Sequence, residues 1–161
     1  MTIPAVSQNQ ANWWFFGSNA GIDFNTGVPV PNNIGQLNTI EGCSAISDAC
    51  GGLLFYTDGI SIWDRNHLVM PNGNGLFGNP SSTQSAIVIP LPNNPDLYYV
   101  FSISIGTTTG LYYSVVDMSL NSGTGDVIVT QKNISLLANS TEKLFAAVAA
   151  NGQDAWIVTY A

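Results

Sequence analysis

Between residues 42 and 64 the chain alternates short apolar runs with tight turn signals. Apolar and small residues fill 43–49, Cys50-Gly51-Gly52 interrupts them, 53–57 is a second run, and Asp58-Gly59 separates it from 60–63. Asp-Gly between two β-rich runs predicts a hairpin with a type I′ turn, in which both central residues take positive φ. The whole segment is predicted as one β-meander. The same order of an Ala-centred apolar strand, a turn and an aromatic strand recurs twice. Ser85-Ala86-Ile87-Val88 leads through Asn93-Asn94-Pro95-Asp96 to Tyr98-Tyr99-Val100-Phe101, and Ala146-Ala147-Val148 leads through residues 151–154 to Trp156-Ile157-Val158.

Other runs complete the expectation. Trp13-Trp14-Phe15-Phe16 predicts a strand buried on both faces and resembles the aromatic half of a further copy. Ile22-Asp23-Phe24 predicts its short partner, and the Pro, Asn and Gly content of 28–40 predicts an ordered surface loop. Residues 68–70, 97–105, 111–117 and 127–130 predict strands, 134–137 a short strand or loop, and 71–80 and 106–110 loops. Lys143 to Ala150 would pass for a helix on propensity alone; the repeat pattern makes it a strand instead. Ala45 and Ala86 are 41 residues apart and Ala86 and Ala147 are 61 apart, spacings that bracket a propeller blade with one insertion. The predicted fold class is therefore all-β, a β-propeller-like arc of blade-type meanders, with a β-sandwich as the alternative. Residues 1–11 are an N-terminal arm and 12–161 one all-β domain, an incomplete propeller of two to three blades. Closure takes at least four, so its flat aromatic faces would be covered by more chain or by partner subunits.

Composition narrows the functional classes. Charged residues are 8% of the 161, against about 25% in an average soluble protein, which suits a secreted or assembled β protein. Arg65, Lys132 and Lys143 face ten acidic residues, for a net charge of −7, and no basic run exists to neutralise a phosphate backbone, which argues against nucleic-acid binding. No apolar segment reaches the eighteen or more residues of a membrane helix, and residues 1–11 lack the pattern of a secretory signal. Cys43 and Cys50, if joined by one extended strand, lie roughly 23 Å apart, beyond disulfide reach. Two free, largely buried thiols are expected; a bridge would need a loop between them.

The segments NWWFFGSNAGIDFNTGVPV and LNTIEGCSAISDACGGLLFYTDGISIWDRNHLVMPNGNGLFGNPSSTQSAIVIPLPNNPDLYYVFSI carry a resemblance. Over residues 12–160 the chain resembles the N-terminal, propeller-like region of large secreted surface proteins of gliding and related Bacteroidetes, the gliding-motility-associated, C-terminal sorting domain family. EGCSAISD, LLFYTDG, and PNG followed by SSTQSA are the most specific blocks. The resemblance implies an extracellular, repeat-built, adhesive or structural module and transfers no catalytic residue. Family members begin with a signal peptide and continue for hundreds of residues past 151–159. A short version without that signal also fits a component of a phage virion or an extracellular filament.

Candidate sites are few. His67 is the only histidine, so any Ser-His-Asp arrangement must use it, and no Gly-x-Ser-x-Gly elbow supplies a nucleophile; a structural histidine is expected. Asp48, Asp58 and Asp64 fall near the ends of adjacent strands and are the candidate ligands for calcium, the one cofactor considered, against a plain role in turns or a glycosidase-like acid pair. Trp13, Trp14, Trp63, Tyr98, Tyr99, Tyr112, Tyr113 and Trp156 are weighed as a sugar-stacking platform against core packing or interface burial, since adjacent aromatics on a strand point to opposite faces; Trp13, Trp63, Tyr99 and Tyr113 are the candidate glycan or partner contacts. Asn133-Ile134-Ser135 and Asn139-Ser140-Thr141 match the N-glycosylation pattern. The expected function is a non-enzymatic extracellular structural or adhesive module acting through surface loops such as 71–80 and 106–110, with protein neighbours and surface glycans as partners. The alternatives are a structural subunit of a virion or filament and a glycan-processing enzyme fragment.

Overall fold

The computed structural model of the chain describes residues 9–105, 110–149, 151 and 153–161. Most of the predicted N-terminal arm and most of the 106–110 loop lie outside the described residues. Among the described residues, regular structure is almost all antiparallel strand, with three-residue 3-10 turns at Asn9–Ala11, Asn121–Gly123 and Val129–Gln131. The strands fall into four sheets in chain order. Sheet I holds β1 (Trp13–Phe16), β2 (Ala20–Asp23) and β3 (Val30–Asn32). Sheet II is the four-stranded meander β4 (Ser44–Ser47), β5 (Leu53–Thr57), β6 (Ser61–Asp64) and β7 (Val69–Asn74). Sheet III runs β8 (Ala86–Pro90), β9 (Leu97–Ser104), β10 (Gly110–Asp117), and its fourth position is shared by β11 (Asp126–Val127) and β12 (Ile134–Leu137), both paired with β10. Sheet IV is the hairpin β13 (Leu144–Val148) and β14 (Ala155–Thr159). The segment with helical propensity is thus a strand, as the repeat pattern requires.

Strand periodicity decides how the sheets stack. In sheet II, Ala45, Tyr56 and Trp63 are cross-strand partners and face sheet I, packing with Phe15, Leu37 and Trp13. The neighbouring positions Ile46 and Phe55 face the other way, into the core shared with Val88, Tyr98, Val100 and Val116 of sheet III. Sheet III repeats the alternation. Phe101, Ile103 and Leu111 turn toward sheet IV and meet Leu144 and Ile157. The first strands lie side by side, β1 against β4, β4 against β8, and β8 against β13. Ser44 Oγ accepts from Val88 N at 3.3 Å and Gln84 Oε1 accepts from Leu144 N at 2.7 Å, so side chains stitch that row.

Several expectations change. Trp13–Phe16 is not buried on both faces: Phe15 is buried, but Trp14 and Phe16 remain 52% and 39% exposed because sheet I has a packed neighbour on one side only. The 28–40 segment contains a strand, β3, in which Val-Pro-Asn occupies a sheet edge, the place where a proline costs no ladder bond. Strand β7 likewise continues through Pro71-Asn72-Gly73-Asn74, also at an edge. The 127–130 strand is shorter than its Val and Ile content suggests, since the chain leaves β11 at Val127 and enters a 3-10 turn. At Asp58-Gly59 only Gly59 has positive φ, at 87°. The turn is therefore not type I′; the Asp58 carboxylate holds it instead.

Candidate functional site

The three candidate calcium ligands are turn-formers. Asp48 Oδ1 accepts from Cys50 N at 2.8 Å and Gly52 N at 2.9 Å. Asp58 Oδ1 accepts from Ile60 N and Ser61 N, both at 2.8 Å. Asp64 Oδ1 accepts from Asn66 N at 2.8 Å and Leu68 N at 3.0 Å. Each carboxylate closes its own strand end, as Asx turns do, and among the described residues no three acidic, His or Cys side chains are grouped so as to hold a metal ion. The structure does not bring Asp48, Asp58 and Asp64 together. The β5–β6 turn is also fastened to the next sheet: Ser85 Oγ donates to Asp58 O at 2.6 Å, and Gly59 lies so close to Ser85 that a side chain there would collide with it.

The four candidate aromatics divide between two interfaces. Trp13 and Trp63 belong to a stack between sheets I and II, Trp13 on Phe15 at 5.8 Å, Phe15 on Tyr56 at 4.3 Å and Tyr56 on Trp63 at 5.5 Å. His67, in the β6–β7 turn with φ 62°, sets its ring edge-on to Phe15 at 5.7 Å. Tyr56 Oη accepts from Gln36 N at 2.9 Å and lies 3.1 Å from His67 Nδ1. The Tyr56 hydroxyl thus joins the Gln36 amide to the His67 ring, donating to or accepting from Nδ1 according to the imidazole tautomer. Burial lowers the His67 pKa, with Asp64 pulling the opposite way. The same burial, partly offset by the Gln36 amide, raises that of Tyr56.

Tyr99 and Tyr113 sit on the sheet IV side of sheet III, 5.5 Å apart and edge to face, with Phe101 tilted beside them. Both are half-buried. With Phe101 and Leu136 they line a cavity of about 270 Å³. Trp13 and Trp63 are half-buried too, and Trp13 lines a cavity of about 400 Å³ with Trp14, Phe16, Cys43 and Ala45, so all four candidates keep some accessible surface.

The largest cavity described, about 650 Å³, opens between the β4–β5 turn and the β8–β9 loop, with Ser47, Asp48, Pro92, Asn93, Asn94 and Tyr98 among its lining residues. Sequence reasoning missed it because Pro-Asn-Asn-Pro-Asp signals only a turn. Nothing in a linear pattern says that two turns, one in each meander, face each other. Tyr98 is one of the eight aromatics weighed as a stacking platform; burial, then Asp48 and Asp96, raises its pKa.

The remaining candidates resolve individually. Both cysteines are free thiols; Cys43 is half-buried as expected, but Cys50 is exposed, because it lies in the β4–β5 turn and not within a strand. Burial, then Asp58, raises the Cys43 pKa. Asn133 of the first N-glycosylation match is engaged, its Nδ2 donating to Gly75 O and its Oδ1 accepting from Phe77 N. Among the described residues no helix is long and apolar enough to cross a membrane. Comparison with protein-family models, curated proteins and solved structures gives no match.

Proposed function

We propose that this protein is a non-enzymatic extracellular adhesive or structural module, built as a propeller-like arc of blade-type meanders. The observation that carries the reading is the serial stack: four antiparallel sheets in chain order, each resting on the next, with first strands β1, β4, β8 and β13 in one row. In such a stack the loops are held on a rigid frame, which is where binding groups are usefully displayed. The resemblance to Bacteroidetes surface proteins, the low charge content and the Asn, Ser and Thr-rich surface support the same reading. The candidate acids are occupied with turn geometry, which supports a binding role over a hydrolytic one.

The direct test is adhesion of beads densely coated with the protein to glycan-bearing and protein-bearing surfaces. Dense presentation raises avidity above the weak monovalent affinity, so coated beads should be retained and the soluble protein should compete poorly. Retention no better than that of blank beads, together with turnover of a glycoside abolished by Asp58→Ala, would replace this reading with an enzymatic one.

A second reading, a structural subunit of a virion or filament, is favoured by the outer faces of the end sheets. Phe145, Trp156 and Val158 on sheet IV are exposed by 61%, 68% and 55%, and Phe145 and Val158 are paired on one face. An assembling subunit would bury them. A stable monomer in light scattering at high concentration would exclude that reading.

A further inference from the structure

We infer that the cleft between the β4–β5 turn and the β8–β9 loop binds a short neutral oligosaccharide. The inference rests on the adhesive reading and supplies its ligand class and place. At about 650 Å³ the cleft falls within the range of roughly 300–1,000 Å³ typical of small-molecule sites. Some of its polar groups are unspent. Ser47 is fully buried, and its Oγ has no hydrogen-bond partner. A buried hydroxyl without a partner is costly unless something else satisfies it. Tyr98 is buried to 7% exposure; its hydroxyl has no bond to any described residue, and the ring is held edge-on against Phe55 at 5.6 Å. Asp48 spends Oδ1 on its own turn and leaves Oδ2 as an acceptor. Between these groups Leu91, Pro92 and Pro95 supply apolar surface. A few convergent hydroxyl and carboxylate groups beside apolar walls match a sugar ring, which has hydroxyls on its rim and C–H groups on its faces.

The frame is preorganised. Asn9 Nδ2 donates to Ala49 O at 3.1 Å and Asn25 Nδ2 to Gly51 O at 3.0 Å, so the segments on either side of the β1–β2 hairpin pin the β4–β5 turn. Across the cleft, Leu91 N donates to Leu97 O at 2.8 Å and Asn94 N to Leu91 O at 3.2 Å. Asp96 N donates to Asn94 Oδ1 at 3.2 Å, and Pro92 and Pro95 fix their own φ. Little ordering cost remains for a ligand to meet. Charge selects against anions. Asp48 and Asp96 both bear on Tyr98, while Arg65 and Lys132 are bound to Gly123 O and Asn74 O, away from the cleft residues. Uronic or sialic acids would meet Asp48 and no basic side chain among the lining residues of the cleft.

The test is an amide-resolved NMR titration with neutral hexose and N-acetylhexosamine oligosaccharides and, in parallel, with uronic-acid and sialylated ones. Neutral sugars should shift the signals of residues 47–52 and 91–97, and acidic sugars should not. Tyr98→Phe keeps the packed ring and removes only the hydroxyl, so it should weaken binding about tenfold with an unchanged melting temperature. Ser47→Ala is the second variant, expected to weaken binding with folding intact. Shifts confined to Tyr99, Tyr113 and their neighbours would overturn the cleft assignment while leaving the adhesive reading standing. Preference for acidic sugars, or no shift with any sugar, would also overturn it, and bead adhesion then decides separately whether the adhesive reading survives.

Discussion

Between sheets I and II, Trp13, Phe15, Tyr56 and Trp63 lie in a ring-on-ring stack closed by His67. Between sheets III and IV, Tyr99, Phe101 and Tyr113 meet tilted or edge to face around an open cavity. The first interface buries Phe15 and Tyr56 to 2% and 0% exposure and hydrogen-bonds the Tyr56 hydroxyl on both sides. In the second, a two-stranded sheet covers a partner four positions wide, and Tyr99 and Tyr113 remain half-exposed. Phe15 and Tyr56 therefore serve as core, whereas Tyr99 and Tyr113 of the second interface keep part of their rings at the surface. What separates them is how much of the facing sheet is present, together with one polar chain from Gln36 to His67.

Truncation should break this comparison most forcefully. Phe15→Ala should cost about 3–5 kcal/mol, as expected for a buried aromatic, whereas Tyr113→Ala should cost under about 2 kcal/mol because its ring is only partly removed from water. Urea denaturation of both variants would show it, and equal losses would mean that the two interfaces are equally built. Next in size is the hydroxyl. Tyr56→Phe leaves the Gln36 amide and His67 Nδ1 without their partner and should cost about 1–2 kcal/mol, while Tyr113→Phe should be close to neutral.

Acid should find the same interface. The folded state favours neutral His67, whose pKa is lowered from 6.5 by burial, so below that value the unfolded chain binds more protons than the folded one. Its contribution is full above about pH 6.5 and is lost as pH falls through the lowered folded value. Asn tolerates the left-handed backbone of position 67, and His67→Asn should flatten the acid-side loss in urea midpoints compared at about pH 7.5 and about pH 5.5. The smallest effect is kinetic. Cys50 should react promptly with a thiol reagent and Cys43, part of the sheet I–II cluster and raised in pKa, much more slowly. Equal rates would show that sheet I leaves its place readily.

The meanders of sheets II and III were legible because alternating apolar positions and Gly, Asn and Asp turns are local signals. The opposite faces of Tyr98 and Tyr99 follow from strand geometry alone. Strands β3 and β7 were not fully legible, since Pro71 and the Val-Pro-Asn of β3 are read as loop until one knows that they lie at sheet edges. The site was less legible than the fold. Asp48, Asp58 and Asp64 have the same spacing whether they converge on an ion or each close a turn, and only hydrogen-bond geometry separates the two. The cleft depends on a contact between turns some 40 residues apart in the chain, which no local pattern encodes.

The serial arrangement of the sheets has a consequence for how the molecule yields. Where each unit rests mainly on the next, as in solenoids, stability approximates a sum of unit and junction terms, and disorder spreads by one junction at a time. Sheet IV, a single hairpin, should exchange its amide hydrogens by local opening while sheets II and III stay closed. The aromatic junction between sheets I and II would then act as a stop at the other end, so that loss of one terminal unit is damage contained and not collapse.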